Sequence, residues 1–163
     1  MKKAIVGLFA AAALAAGTGH ASAQGNLPIS IEARIDAGIP TGDFADGFDV
    51  GVGWGVFGAI DLTPNFAIYG GYSQFSFDVK DTDLNAKDDG FDLGGRVLLG
   101  TGAGVWTPFG QFGVLFHDET GFEFGLGAEY PVGTGVTLTP LARFRKVGDA
   151  QYVGIGVGLS LRP

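Results

Sequence analysis

The chain has 163 residues, a formal net charge of −7 and no cysteine, and 46% of its residues are hydrophobic. This hydrophobic content and the 14 phenylalanines argue against a disordered chain, which would be poor in aromatic residues. Its acidity argues against nucleic-acid binding. Because the chain has no cysteine, no disulfide can stabilise it, and its stability must come from other interactions.

The first 23 residues have the pattern of a secretory signal peptide. Lys2 and Lys3 precede an apolar run from Ala4 to Ala16, and a small-residue segment follows it up to Ala23. We predict a cleaved signal peptide, because the apolar run is shorter than a membrane-spanning helix. Cleavage is expected after Ala23, where Ala21 and Ala23 match the small-residue pattern of a cleavage site. A retained anchor is the alternative. Residues 24–163 then form one domain with a net charge of −9, since two lysines are lost.

About eight stretches in the remaining chain alternate apolar residues with small or polar ones. This period of two is typical of β-strands, because successive side chains point to opposite faces. The third stretch is apolar on both faces and the fifth is ambiguous around Pro108, so their orientation stays open. In chain order the stretches are Ile29–Ile39, Val50–Leu62, Phe66–Val79, Gly90–Leu99, Val105–His117, Phe122–Tyr130, Val136–Arg145 and Tyr152–Leu161.

The connections between these stretches fall into two classes. Those after odd strands hold 11 of the 17 acidic residues, whereas those after even strands hold none. Long loops at one end and tight turns at the other are typical of outer-membrane barrels, so we predict extracellular acidic loops and periplasmic termini. The acidic connections are Pro40–Asp49, Asp78–Asp89, Asp118–Thr120 and Gly148–Ala150, and the others are Thr63–Asn65, Gly100–Gly104 and Pro131–Gly135.

The polar face of the strands is mostly Gly, Ser and Thr, with ten charged residues among them. Ten charges are too few to cover a water-facing wall, but they suit the lumen of a narrow barrel, where acids and arginines can pair. The apolar face then contacts lipid, with aromatic belts at its edges. The ten residues predicted to form a lumen ionic network are Glu32, Arg34, Asp36, Asp61, Asp92, Arg96, Glu123, Glu129, Arg143 and Arg145.

With this pattern the chain resembles the small outer-membrane barrels of the OmpA, OmpX and opacity-protein type. The resemblance covers the whole mature chain and rests on the signal peptide, the eight-strand rhythm, the segment Gly38–Phe44 and the ionic polar face. It implies an all-β fold, an eight-stranded antiparallel up-and-down transmembrane β-barrel. Such barrels usually end on an aromatic residue read by the assembly machinery, whereas this chain ends Leu159–Pro163.

No motif of an enzyme or a cofactor site is evident. His117 stands beside Asp118 and Glu119 without a recognisable serine nucleophile, and we interpret it as a histidine at the edge of a loop. Asp81, Asp83 and Asn85 match the opening of a calcium loop, but the required glycine and glutamate are missing. We therefore predict a solvated acidic loop there, with weak cation binding as the alternative.

We predict a non-enzymatic protein with a structural or surface-interaction role in the cell envelope. The alternatives are a narrow channel for small solutes, which requires an open lumen, and a soluble periplasmic ligand-binding barrel. We expect a monomer without a cofactor. Its expected partners are outer-membrane lipid, lipopolysaccharide and the β-barrel assembly machinery, and nucleic acid is not among them.

Overall fold

The computed structural model describes residues 29–100 and 106–162, which form eight strands and one short helix. The predicted signal peptide lies outside these residues. No helix in the described ranges is long and apolar enough to cross a membrane. The elements are β1 (Ile29–Pro40), α1 (Phe44–Gly47), β2 (Gly51–Thr63), β3 (Phe66–Asp78), β4 (Asn85–Leu98), β5 (Thr107–Phe116), β6 (Thr120–Gly133), β7 (Val136–Val147) and β8 (Ala150–Leu161).

The strands close into a barrel in simple chain order. Each strand pairs antiparallel with the next, and β8 returns to β1 with a register that runs from Ile31 opposite Leu161 to Pro40 opposite Tyr152. Closure leaves no unpaired sheet edge. The fold class predicted from the sequence is therefore confirmed.

The outer wall of the barrel is apolar, and the charged side chains of the strands lie inside it together with several aromatic rings. Large side chains such as Ile35 and Leu126 are exposed on the outer wall, whereas the charged side chains of the same strands are buried. Outward aromatic rings lie near both ends of the barrel. At the end that carries the acidic loops, the ring centres of Trp54 and Tyr72 are 5.8 Å apart. At the other end the Trp106 ring stacks on that of Tyr130, with 4.8 Å between the ring centres. This arrangement suits a wall that faces lipid, with aromatic belts at the two interfaces.

The two strands whose faces the sequence left open are resolved by packing. On β3, Tyr69 and Phe75 point into the barrel, and on β5 Phe109 and Gln111 do so. Large inward rings need space on the neighbouring strand. Gly53 lies opposite Phe75, and a Cβ atom added to it would approach the Phe75 ring to 2.5 Å. A glycine is therefore required wherever an aromatic ring fills the lumen at this distance.

The acidic connections are shorter than predicted in one place. β4 begins at Asn85 rather than Gly90, because the segment Asn85–Asp89 continues the hydrogen-bonded ladder opposite Gln74–Asp78. Asp88 therefore faces the lumen from a strand. The charged residues of this segment hide its strand character in the sequence, since they interrupt the apolar alternation. Most of the predicted turn Gly100–Gly104 lies outside the described residues.

Candidate functional site

The lumen contains a balanced set of buried charges. Buried charges are tolerated when they are matched and hydrogen-bonded, and here the two signs are equal in number. The protein's excess negative charge therefore lies outside this buried set. The buried acids are Glu32, Asp36, Asp92 and Glu123, and the buried arginines are Arg34, Arg96, Arg143 and Arg145.

Glu32 and Arg96 organise the half of the lumen nearer the tight turns. The Arg96 guanidinium donates to Glu32 at 3.2 Å and to Glu129 at 2.8 Å, and Glu32 also binds Arg34 and accepts from Ser160 at 3.1 Å. The Arg34 guanidinium lies 4.2 Å from the ring centre of Phe57, a cation–π contact. Strands β1, β4, β6 and β8 are thus joined through side chains across the lumen.

Glu123 occupies the centre of the network. It accepts hydrogen bonds from the Tyr69 hydroxyl at 2.5 Å, from the Gln111 amide at 2.9 Å and from Arg143 at 3.3 Å. Arg143 also donates to Asp36 at 2.7 Å. Gln111 accepts a long hydrogen bond of 3.5 Å from Arg96, which connects the centre to the half of the lumen nearer the tight turns.

The third part of the network lies toward the acidic loops, around Asp92. This carboxylate accepts from Arg145 at 3.0 and 3.1 Å and from the Ser73 hydroxyl at 2.8 Å. Its other neighbour is His117, whose Nε2 lies 2.8 Å from Asp92 Oδ1. The second ring nitrogen of His117 contacts Asp88, so the imidazole is held between two carboxylates.

His117 directly follows β5 at the edge of the connection to β6, as the sequence indicated, but its side chain turns into the lumen, where only 1% of it is exposed. Burial lowers the pKa of His117, but the hydrogen bonds and negative charges of Asp88 and Asp92 more than offset this and raise it to about 9. The imidazole is therefore protonated at neutral pH, and it balances the Asp88 charge.

An aromatic cluster lies at the end of the lumen that carries the acidic loops. Phe75, Phe77 and Tyr152 are fully buried there, and Phe44 and Phe48 of the α1 segment pack on them. The Phe44 ring lies 5.2 Å from that of Phe77, and the Tyr152 hydroxyl donates to Asp88 at 2.5 Å. The cluster covers the ionic network and is hydrogen-bonded to it.

The opposite mouth contains a cavity of about 20 Å³, with Tyr69, Arg96 and Glu129 in its lining. This volume is enough for about one water molecule. Asp61, the outermost of the ten predicted charges, pairs there with Arg162 at 3.0 Å, and both side chains are partly exposed. The structure thus brings nine of the ten residues into one lumen system and places Asp61 at its rim.

The predicted acidic loop lies apart from this network. Asp81 is exposed and has a left-handed backbone with φ of 60°, and Asp83 and Asn85 are also exposed. Within residues 29–100 and 106–162, no group of three or more His, Asp or Glu side chains is placed to hold a metal ion.

Known structures share this architecture. Neisserial surface protein A superposes with a TM-score of 0.67 at 11% identity, over 83% of this chain and 97% of that one. The N-terminal barrel domain of Pseudomonas aeruginosa OprF gives 0.57 at 14%, over 85% and 100%. Ail of Yersinia pestis gives 0.54 at 14%, over 83% and 97%.

The chain has the fold of the small outer-membrane β-barrels. No protein-family model and no curated protein sequence matches it. The likeness therefore lies in the architecture and not in shared sequence. The suspected resemblance to small outer-membrane barrels is confirmed at this level.

Several lumen residues of this outer-membrane barrel fold were missed by sequence reasoning. Tyr69 and Ser73 lie on β3, where both faces are apolar, so the sequence does not show which residues point inward. His117 shares the odd parity of Gln111, but Pro108 obscures the alternation of β5. Asp88 was assigned to a loop because strand β4 starts earlier than the pattern indicated.

Proposed function

We propose that the protein is a non-enzymatic outer-membrane barrel with a sealed lumen and a structural or surface-interaction role. The observation that carries this proposal is the inversion of polarity across the wall, with paired charges inside and exposed apolar residues outside. A soluble ligand-binding barrel would need the opposite arrangement, since its apolar face would surround the ligand.

The difference between the two ends of the barrel supports an orientation. In the proposed orientation the acidic connections and α1 face the cell exterior, and the start of β1 and the end of β8 face the periplasm, as in barrels whose longer loops are extracellular. We expect a monomer that contacts lipid and lipopolysaccharide and is inserted by the assembly machinery. A polyanion such as the sucrose octasulfate bound in one structure of Ail is a poor ligand for such an acidic exterior, because like charges repel.

The buried histidine argues for a structural role and not for catalysis. Both nitrogens of His117 contact carboxylates, and the Ser73 hydroxyl donates to Asp92 at 2.8 Å. A nucleophilic serine needs a general base that is free to take its proton, whereas here the Asp92 carboxylate is already bound by Arg145 and both nitrogens of His117 are occupied. The aromatic cluster above them also separates these groups from an external substrate.

A narrow channel is the competing function, and planar-bilayer recording distinguishes the two. We expect the unmodified protein to show no steady single-channel conductance, because the lumen is filled by paired side chains and capped by rings. A large, steady conductance would overturn the sealed-lumen proposal while leaving the outer-membrane location intact.

Surface proteolysis with membrane fractionation tests location and orientation. We expect the protein in the outer-membrane fraction, and protease added to intact cells should cut the connection at residues 79–84 while sparing the turn at Pro64. Cleavage that requires envelope rupture would contradict the orientation. Release into the soluble periplasmic fraction would contradict the membrane proposal itself.

A further inference from the structure

We propose that the hairpin of β3 and β4 binds an extended basic segment of another polypeptide, which pairs as an added antiparallel strand along Asn85–Asp89 of β4. The inference deepens the proposed surface-interaction role and rests on the orientation given there. Two observations carry it. The ladder between β4 and β5 ends before β4 does, and the surroundings of the edge left over are acidic.

Closure pairs every strand within the wall of the barrel, but β4 continues beyond the level at which the wall is closed. Its pairing with β3 begins at Asn85, opposite Asp78. Its pairing with β5 begins only at Phe91, opposite Phe116. Among the residues that the structure describes, the segment Asn85–Asp89 therefore has a paired strand on the β3 side and none on the other side.

The connection after β5 leaves the space beside this segment open. It passes close to Gly90, since a Cβ atom added there would lie 2.7 Å from the Cα atom of His117. It then turns away from β4, because the Glu119 carboxylate lies against Gly148 in the turn between β7 and β8. The side chains of Asn85, Lys87 and Asp89 are exposed. An approaching segment can therefore reach this edge.

The peptide groups of the segment are directed for pairing. In an antiparallel ladder, successive residues turn their N–H and C=O groups to opposite sides. Just after β4, Leu99 donates its N–H to the Pro108 carbonyl at 2.7 Å, so the odd-numbered residues face the β5 side. The register of β4 against β3 has no shift, so this alternation continues along the strand. The N–H and C=O groups of Asn85, Lys87 and Asp89 thus point to the open edge, where an added strand would pair with them.

Charge complementarity indicates a basic partner. Lys80 and Lys87 are the exposed cations of the hairpin, and exposed acids outnumber them. A basic segment is attracted to such a surface, whereas a second copy of this chain would bring its own acidic rim and be repelled. The exposed acids on the hairpin and beside it include Asp81, Asp83, Asp89, Asp118 and Glu119.

Amide hydrogen exchange of the full chain folded in neutral detergent micelles tests the edge. We expect the amides of Lys87 and Asp89 to exchange rapidly. Those of Ala86 and Asp88 should be protected by the ladder with β3. A synthetic peptide in which lysine alternates with threonine should protect Lys87 and Asp89 when it binds. Unchanged exchange at both residues in saturating peptide would overturn the proposal.

Backbone methylation of the peptide distinguishes strand pairing from charge attraction. In an antiparallel pair, peptide residues opposite Lys87 and Asp89 share their outward face and direct their N–H groups to the edge. With lysines at these positions, methylating the lysine nitrogens should weaken binding about tenfold, while methylating the threonine nitrogens should not. Replacing the lysines by glutamates should also weaken binding about tenfold or more. Equal weakening by the two methylated peptides would overturn the proposal.

A pair of variants tests the same edge from the protein side. Lys87→Pro removes an edge N–H and leaves the ladder with β3 intact, since proline is tolerated on edge strands. It should weaken peptide binding about tenfold, whereas the matched control Lys87→Gln, which keeps the N–H, should bind at least as well as the wild type. Heat-modifiable gel migration verifies that both variants are folded. Wild-type binding by a folded Lys87→Pro variant would contradict the proposal.

Two further outcomes separate the conclusions. Self-association of the wild type that Lys87→Pro abolishes would assign the edge to a second copy of the chain and overturn the choice of partner. Peptide binding in micelles but not on intact cells would count against the orientation in the proposed function, while the strand pairing itself would be supported.

Discussion

The inner and outer faces of strand β6 differ more than two surfaces of a soluble protein would. Glu123 is completely buried and bound by a tyrosine, a glutamine and two arginines, while its neighbour Phe124 is 59% exposed. The inner face is stabilised by matched charges, and the outer face by transfer of apolar surface into lipid. One strand therefore has two different environments, and the effect of a substitution on stability depends on the face that it alters.

The largest expected effect follows from removing one buried arginine. Arg145→Met leaves Asp92 without its guanidinium partner in a buried site, and we expect a loss of about 3–5 kcal/mol of unfolding free energy. The measurement is denaturant unfolding of the barrel in lipid vesicles. The control is Arg162→Met, which breaks a partly exposed pair and should cost less than about 1 kcal/mol. Similar losses for both variants would show that the lumen is hydrated and not packed.

The outer face is tested by two leucines of nearly equal exposure. Leu126, at the middle of β6, is 70% exposed and Leu84, in the connection before β4, is 68% exposed. Leu126→Arg should cost about 2–4 kcal/mol near the bilayer midplane, while Leu84→Arg should cost almost nothing because water surrounds it. Folding yield into vesicles measures both. If Leu126→Arg is tolerated as well as Leu84→Arg, the outer wall does not face lipid.

The close packing of the lumen predicts a difference between two inward glycines of β8. An alanine Cβ at position 156 would collide with the Asp36 carboxylate and the Ile35 carbonyl oxygen, whereas at position 154 the nearest atom is 3.5 Å away, on Phe75. We expect Gly156→Ala to cost about 1–3 kcal/mol and Gly154→Ala to be nearly neutral. Equilibrium unfolding compares them, and equal stabilities would contradict a tightly filled lumen.

The pH dependence of stability tests the charge on His117. Because its folded pKa is raised to about 9, its protonated form stabilises the barrel fully below the unfolded pKa near 6.5, and this contribution is lost as pH rises through 9. Between pH 7 and pH 10 we expect a loss of about 2 kcal/mol that His117→Gln does not show. Parallel stability curves for the two proteins would mean that the imidazole is neutral in the fold.

Much of the architecture could be predicted from local sequence. Alternation along β1, β6 and β8 separates Ile35 from Arg34 and Phe124 from Glu123, because a strand turns successive side chains to opposite faces. The uneven distribution of acidic residues among the connections predicted two unlike ends. Prediction was poorer for β3 and β5, where rings such as Phe75 and Phe109 line the lumen and remove the contrast between the faces.

The sequence by itself determined that there are about eight strands, that six of them alternate clearly, and that ten charged residues share the polar face. Only the closed barrel decided which charges meet. Arg143 binds Asp36 and Glu123, which belong to two different strands and lie 107 and 20 residues away along the chain. His117 contacts Asp88 because β4 extends to Asn85 and so brings Asp88 into the lumen. Such contacts depend on the register of neighbouring strands and on the room that facing glycines leave, and no local pattern encodes either.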